Sequence, residues 1–247
     1  RICFITASPL TVKAFLTDQI AALAREHDVA VITNLSDGEQ LDALKGSARL
    51  MSAPIDRDIA PLADLKCLWL LRNLFRRERF DIVHTVTPKA GLLAQMAAFV
   101  QRIPVRIHVF TGQAWVTRRG LWRWILKAID HLIAMLATHV IVDSPSQRDF
   151  LVAHGVVRQD KARVLLQGSI SGVDTFRFRP NGEARARIRG DSGIDGDCVV
   201  FLYVGRLNID KGLLDLARAC ADPGLAGTVM LIVGPDEENM RPQMQEL

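Results

Sequence analysis

The strongest constraint in this chain is an alternation that runs through most of its length: a short apolar run, then a longer stretch whose apolar residues recur every three or four positions. Residues 2–6 (ICFIT) read as a buried strand and 11–26 as a helix, followed by a strand at 29–33. The pattern continues with a helix at 62–79, a strand at 81–84, a helix at 89–101, a strand at 105–110, a helix at 121–138 and a strand at 139–143. Strands that are apolar throughout are buried on both faces, and strands that alternate with helices pair in parallel with the helices packed on either side. The fold class this predicts is α/β.

A composition shift then divides the chain. After a helix at 145–154 and the short strand "RVLLQ", the segment "GSISGVDTFRFRPNGE" is rich in Gly, Ser, Pro and Asn, as linkers are. The alternation restarts with a helix at 182–189, a strand at 198–204, a helix at 211–221 and a strand at 228–233. The expected organisation is an N-terminal domain over 1–168, a linker over 169–181 and a second domain over 182–247. Two strand–helix repeats are too few for a doubly wound sheet and leave the last strand as an open edge, so the second domain is expected to be incomplete and the chain a fragment. The opening "RICFIT" reads as a strand rather than as a signal peptide, and an initiator Met and a residue or two are expected to precede it.

Composition narrows the function classes. Apolar residues make up 49% of the 247 and charged residues 23%, which is the balance of a folded globular protein. Cys3, Cys67, Cys198 and Cys220 are scattered without a CxxC spacing, so reduced thiols and a cytosolic compartment are expected. The apolar stretch at 121–137 carries Arg123, Lys127 and Asp130, which disfavours a membrane span. A net charge of +4 suits phosphates, anionic lipid or plain solubility. There is no zinc-type Cys/His cluster, no G-x-S-x-G elbow and no Walker loop, and neither a metal nor a nucleic-acid partner is expected.

Chemistry concentrates at "FLYVGRLNIDKG", residues 201–212. A buried strand ends in Gly205, and Arg206 and Lys211 follow on the loop and at the start of the next helix, where ligands of open α/β sheets bind. Both cations can face one anion, with the helix N-terminus adding donors; alternatively they are solvated loop cations paired with Asp210 or Asp215. In "TPKAG", Lys89 and Gly91 open a helix after a strand, a layout that suits a phosphate or diphosphate, or else a helix cap with an exposed lysine. Residues 115–136 interleave Trp115, Trp122 and Trp124 with Arg118, Arg119, Arg123 and Lys127, as in a helix lying on an anionic bilayer or a core helix with a basic outer face.

"VGRLNIDKG" followed by an apolar helix and then "VMLIVGPDEENM" resembles the donor-domain signature of the large retaining glycosyltransferase family that uses nucleotide sugars on the two-domain GT-B fold. "HTVTPKAGLLAQMAA" (84–98), "DSPSQRDFL" (143–151) and "GSISGVDTFRF" (168–178) are similar to the branch that builds capsular, exopolysaccharide and O-antigen repeat units. The resemblance implies two Rossmann-like domains with parallel sheets, and Arg206 and Lys211 binding the donor diphosphate and stabilising the departing nucleotide. It implies Gly205 and Pro235 in the donor site, and Gly172 and Asp174 turning the chain between the domains. It also implies no cofactor beyond the nucleotide sugar. The family's Glu, seven residues, Glu motif comes later in the second domain; Glu238 and Glu246 share the spacing but follow the strand too closely and read as a solvated helix face. Many relatives place a His after the fourth strand, where this chain has Thr111; His108 lies inside the strand and reads as a hydrogen-bonded core residue. Thr111, Gly112 and Gln113 are then the candidates to line the acceptor cleft.

The function implied is transfer of a sugar, with retention, from a uridine-linked nucleotide diphosphate sugar to a polyprenyl-diphosphate-linked saccharide. The setting implied is the cytoplasmic face of the membrane, with peripheral contact through 115–136. The alternatives are a nucleotide-sugar 2-epimerase of the same plan and a truncated, non-enzymatic binding module.

Overall fold

In the computed structural model, which describes residues 1–35, 41–56 and 60–246, the apolar runs lie side by side as parallel strands. The chain divides into two compact units, Arg1–Val173 and Asp174–Leu247.

The first unit holds a seven-stranded sheet: β1 (Ile2–Ile5), β2 (Val29–Thr33), β3 (Arg49–Ser52), β4 (Ile82–Val86), β5 (Val105–Phe110), β6 (His139–Val142) and β7 (Ala162–Val164), in the order β3-β2-β1-β4-β5-β6-β7. Every pairing is parallel, with Ile2 beside both Val29 and Ile82. Side chains alternate across the strands as a pleated sheet requires. Cys3 and Ile5 of β1 enter one core cluster while Ile2 and Phe4 enter another. On the first face lie α3 (Pro61–Glu78), through Cys67, Leu71 and Phe75, and α4 (Pro88–Val100), through Ala90, Leu93 and Ala94. On the second lie α1 (Pro9–Thr11), a π-helical turn at Val12–Leu16 and α2 (Thr17–Leu23), through Val12, Leu16 and Ile20. A third cluster joins β5 and β6 to α5 (Gly120–Leu136) and α6 (Pro145–Ala153).

β3 is absent from the sequence expectation. Its four residues alternate between half-buried and exposed, as an edge strand's do, so no apolar run announces it. The remaining elements fall within a few residues of their expected places, and the helix ends have local causes. Ser144 accepts from the Gln147 N–H at 3.1 Å and caps α6, while α3, α4 and α6 each begin with Pro in the first turn.

The second unit holds α7 (Gly182–Asp191), β8 (Val200–Val204), α8 (Leu213–Cys220), β9 (Val229–Val233) and α9 (Met240–Gln245), with β8 and β9 parallel and in register from Val200↔Val229. Its buried cluster is small: Leu207, Leu213 and Met240. The four cysteines are unpaired, with Cys3 and Cys67 buried.

Candidate functional site

The order of strands reverses between β1 and β4: the chain runs outward from β1 through β2 and β3, then lays β5, β6 and β7 on the far side of β4. Such a switch point leaves a crevice beyond the carboxyl ends of the two strands, because the helices that follow them diverge to opposite faces. Ser8 after β1, and Thr87 and Lys89 after β4, line a groove of about 790 Å³ here. The start of α5 supplies an apolar wall through Trp122 and Ile125, with Arg118 on the loop ahead of it. The lining thus combines hydroxyls, two cations and the carboxylate of Asp64 with an apolar helix face.

Lys89 is an anchored cation. Its Nζ lies 2.6 Å from Asp64 Oδ1 of α3, and the two side chains are only 14% and 22% exposed. Asp64 also accepts the Ala60 N–H at 3.2 Å, holding the start of α3 at the groove. Thr87, the residue before α4, has φ 76° and ψ 141°, a region L-residues rarely adopt and which costs about 1–3 kcal/mol. Its Oγ1 accepts the Ala7 N–H at 3.4 Å, joining the ends of β1 and β4.

Gly91, expected in a ligand-binding layout, has an internal role instead. A Cβ there would lie 2.5 Å from His108 Cε1, so the glycine lets α4 approach β5. His108 is buried and shares a 2.8 Å hydrogen bond with Thr85 Oγ1, which also receives Gln95 Nε2 at 2.8 Å. Burial, with the nearby His84 adding to it, pushes the His108 pKa down to about 3, so this imidazole is a neutral core group.

Thr111 and Gly112 are exposed beyond β5, while Gln113 Nε2 is buried with no hydrogen-bond partner among the described residues. Asp143, just past β6, was not singled out from sequence. One of its carboxylate oxygens is likewise buried and unpartnered, and burial raises its pKa. A Cβ at Gly168 would collide with the Asp143 carbonyl, and that carbonyl accepts the Ser169 N–H at 2.6 Å, so the turn at 168–169 is seated on the end of β6. The visible signal was an acidic residue between an apolar strand and the capping Ser144.

Residues 115–136 are not one amphipathic helix. Trp115 precedes α5 and is fully buried, stacked on Phe150 at 5.4 Å, with its indole N–H donated to Asp130 Oδ2 at 2.9 Å. Burial drives the Asp130 pKa up to about 6, against the lowering effect of that hydrogen bond. Trp122 and Trp124 are instead exposed on the outside of α5.

In the second unit Arg206 leaves the carboxyl end of β8 and pairs with Glu237 at 2.8 Å, rather than with Asp210 or Asp215. Asp215 pairs with Arg218 at 2.9 Å. Lys211 closes the 3-10 turn Ile209–Lys211, exposed and with no ion pair among the described residues. The first N–H of that turn, Ile209, is already donated to Glu238 Oε2 at 2.9 Å, which gives Glu238 a capping role. Gly234 lets the ends of β8 and β9 meet, since a Cβ there would strike the Gly205 carbonyl, while a Cβ on Gly205 would crowd the Tyr203 ring; the Pro235 carbonyl accepts the Leu207 N–H at 2.8 Å. Gly172 is exposed, and Asp174 Oδ1 accepts the N–H groups of Phe176 and Arg177 at 3.0 Å each, an Asx turn. Among the described residues no group of three His, Cys, Asp or Glu has a metal-binding arrangement.

Residues 11–168 match the family described as a glycosyl transferase 4-like domain. The chain belongs to that family. Apart from Ala7 and Ser8, every residue lining the groove falls inside the glycosyl transferase 4-like region. The chain is 30% identical over 206 residues to the capsular polysaccharide biosynthesis glycosyltransferase CapM of Staphylococcus aureus, covering 81% of this chain and 52% of that protein. It is 28% identical over 221 residues to the UDP-Gal:alpha-D-GlcNAc-diphosphoundecaprenol alpha-1,3-galactosyltransferase of Escherichia coli, covering 86% of this chain and 55% of that protein. It therefore spans about half the length of these curated relatives. Among solved structures it is similar to Anabaena HepE in complex with UDP and glucose, with a TM-score of 0.68 and 17% identity over 99% of this chain and 64% of that one. The fold is that of the GT-B glycosyltransferases.

Proposed function

We propose that the protein transfers a sugar, with retention, from a uridine-linked nucleotide diphosphate sugar to a polyprenyl-diphosphate-linked saccharide in cell-surface polysaccharide synthesis. The observation that carries this reading is the pair of cations after β8, Arg206 and Lys211, in a chain whose family relatives include a capsular polysaccharide glycosyltransferase and a diphosphoundecaprenol-linked galactosyltransferase.

Negative charge grows on the diphosphate as the glycosidic bond breaks, and fixed cations that meet it lower the barrier. Arg206 and Lys211 supply that charge from the protein, and no resident cofactor or metal is invoked. The acceptor attacks on the side from which the nucleotide leaves. Its own diphosphate suits Lys89 and Arg118 at the groove, with the amide groups opening α4 as further donors, and the first isoprene units suit the apolar wall of α5. Peripheral attachment through the exposed tryptophans of α5 keeps the enzyme beside such an acceptor, and no described helix is long and apolar enough to cross a membrane.

The test is incubation of a UDP-sugar with and without a polyprenyl-diphosphate-linked saccharide. Transfer that needs the acceptor, and that falls at least tenfold in both Arg206→Ala and Lys211→Ala, supports the reading. An epimerised sugar formed from donor alone, or near-normal turnover in both variants, overturns it.

A further inference from the structure

Two sides of α5 do different things. Trp122, Ile125 and Ile129 share one side and wall the groove. Arg123, Lys127 and Asp130, spaced i, i+4 and i+7, share another and converge on Trp115. The Arg123 guanidinium and the Lys127 ammonium sit 5.4 and 5.8 Å from the indole ring centre, and Asp130 Oδ2 accepts the indole N–H at 2.9 Å. From α6 come Phe150, stacked on the ring at 5.4 Å, and His154 at 5.3 Å. The indole is thus held between two helices.

Trp115 is the buried midpoint of residues 111–119, the segment that joins β5 to α5. Its neighbours face the other way: Ala114 and Arg118 are exposed and line the groove. Backbone turns tie them to the tryptophan, with the Arg118 N–H donating to the Trp115 carbonyl at 3.3 Å and the Val116 N–H to the Gln113 carbonyl at 3.1 Å. Where the indole docks therefore decides where Arg118 stands. Holding that ring with an acid costs stability, because Asp130 is only 3% exposed and an apolar side chain would carry no desolvation penalty. What the acid adds is direction. An apolar slot admits an indole in more than one orientation, whereas a hydrogen bond to its single N–H selects one.

We propose that Asp130 is a positioning residue for the acceptor: by fixing the Trp115 indole it holds Arg118 at the groove, where the acceptor's diphosphate binds. The part played by the acceptor rests on the function proposed above; the clamp on residues 111–119 does not.

The test compares Asp130→Leu and Trp115→Phe, which each remove the hydrogen bond, with Asp130→Asn, which keeps an acceptor for the indole N–H, and with Arg118→Ala. Denaturant unfolding establishes that each is folded, and two variants that break the bond from opposite ends guard against the loss of either. Amide hydrogen exchange reads the clamp without any substrate. Exchange at Val116 and Arg118 should be about tenfold faster in Asp130→Leu and Trp115→Phe, and as in the wild type in Asp130→Asn. Steady-state kinetics with a short-chain, water-soluble prenyl-diphosphate-linked saccharide reads the consequence. The acceptor KM should rise about fivefold in Asp130→Leu and Trp115→Phe, with donor KM and kcat nearly unchanged. Adding Asp130→Leu to Arg118→Ala should cause little further rise, since one acts through the other. Wild-type exchange in both bond-breaking variants overturns the proposal. So do donor and acceptor KM rising together, additive losses with Arg118→Ala, or an Asp130→Asn as impaired as Asp130→Leu. If exchange quickens as expected but Arg118→Ala leaves the acceptor KM unchanged, or no acceptor is used, the clamp stands and the acceptor assignment of the groove falls.

Discussion

The Arg206 guanidinium donates to Glu237 Oε2 at 2.8 Å, so a side chain proposed to hold the donor diphosphate is already engaged by a carboxylate. Both side chains are 39% exposed, and pairs of that kind are worth about 0–1 kcal/mol. A diphosphate, with more charge, displaces such a partner at little cost. Glu237→Gln should therefore tighten UDP binding about twofold to fivefold, while Arg206→Ala weakens it tenfold or more, both read by calorimetry. Weaker binding in Glu237→Gln would mean that the carboxylate organises Arg206 rather than competes for it.

Asp130 gives a pH signature with a defined sign. Its pKa of about 6 lies above the ordinary carboxylate value of 3.8, so between those values the folded state holds a proton that the unfolded state has released. This residue's contribution to stability therefore falls as pH rises from about 4 to 6 and is level above that. Asp130→Asn keeps an acceptor for the Trp115 N–H and removes the buried charge. It should melt higher than wild type at pH 7.5, by roughly 2–3 kcal/mol of stability, with the difference gone at pH 4. A constant difference across that range would show that the carboxyl is not the titrating group.

Gly91→Ala pushes a methyl group into the His108 imidazole, for which the 2.5 Å approach leaves no room. Overpacking of this kind costs about 1–3 kcal/mol. Denaturant unfolding of Gly91→Ala, His108→Ala and the double variant should be non-additive, with the second substitution recovering part of the first loss. Additive losses would place the conflict elsewhere.

Thr87 carries backbone strain at the groove, and glycine relieves it. Replacing Thr by Gly at an ordinary helix cap loses a few tenths of a kcal/mol. At Thr87, with φ 76°, the same change should raise stability by about 1 kcal/mol. Thermal melting distinguishes the two signs, and a loss would mean that the contact with the Ala7 N–H outweighs the strain.

Most of the fold was readable because periodicity and burial agree: β1 and β2 are apolar runs that lie inside the sheet. β3 escaped because an edge strand need not be apolar on both faces, and α5 starts later than its tryptophans imply because Trp115 turns inward to Asp130. In the site, residue type announced the cations of "GRLNIDK" and of "TPK" but not their partners. Glu237 and Asp64 lie 31 and 25 positions away in sequence from Arg206 and Lys89, a separation that only the fold closes. Gly91 shows the opposite limit: a glycine after a strand resembles a ligand loop until the imidazole behind it is seen. Asp143 and Gln113 went unrecognised as buried, unpartnered groups because burial past a strand end is a property of neighbouring loops.

The tie between Ala7 and Thr87 also sets a timetable. The two are 80 residues apart, so at a synthesis rate of about 5–20 residues per second β1 waits roughly 4–16 s for the strand beside it to leave the ribosome. During that interval one edge of β1 is open and the groove does not exist, and its apolar wall, reaching Ile129, arrives later still. A nascent chain of this protein thus exposes a parallel strand edge, the kind of surface that aggregates, well before the groove is assembled.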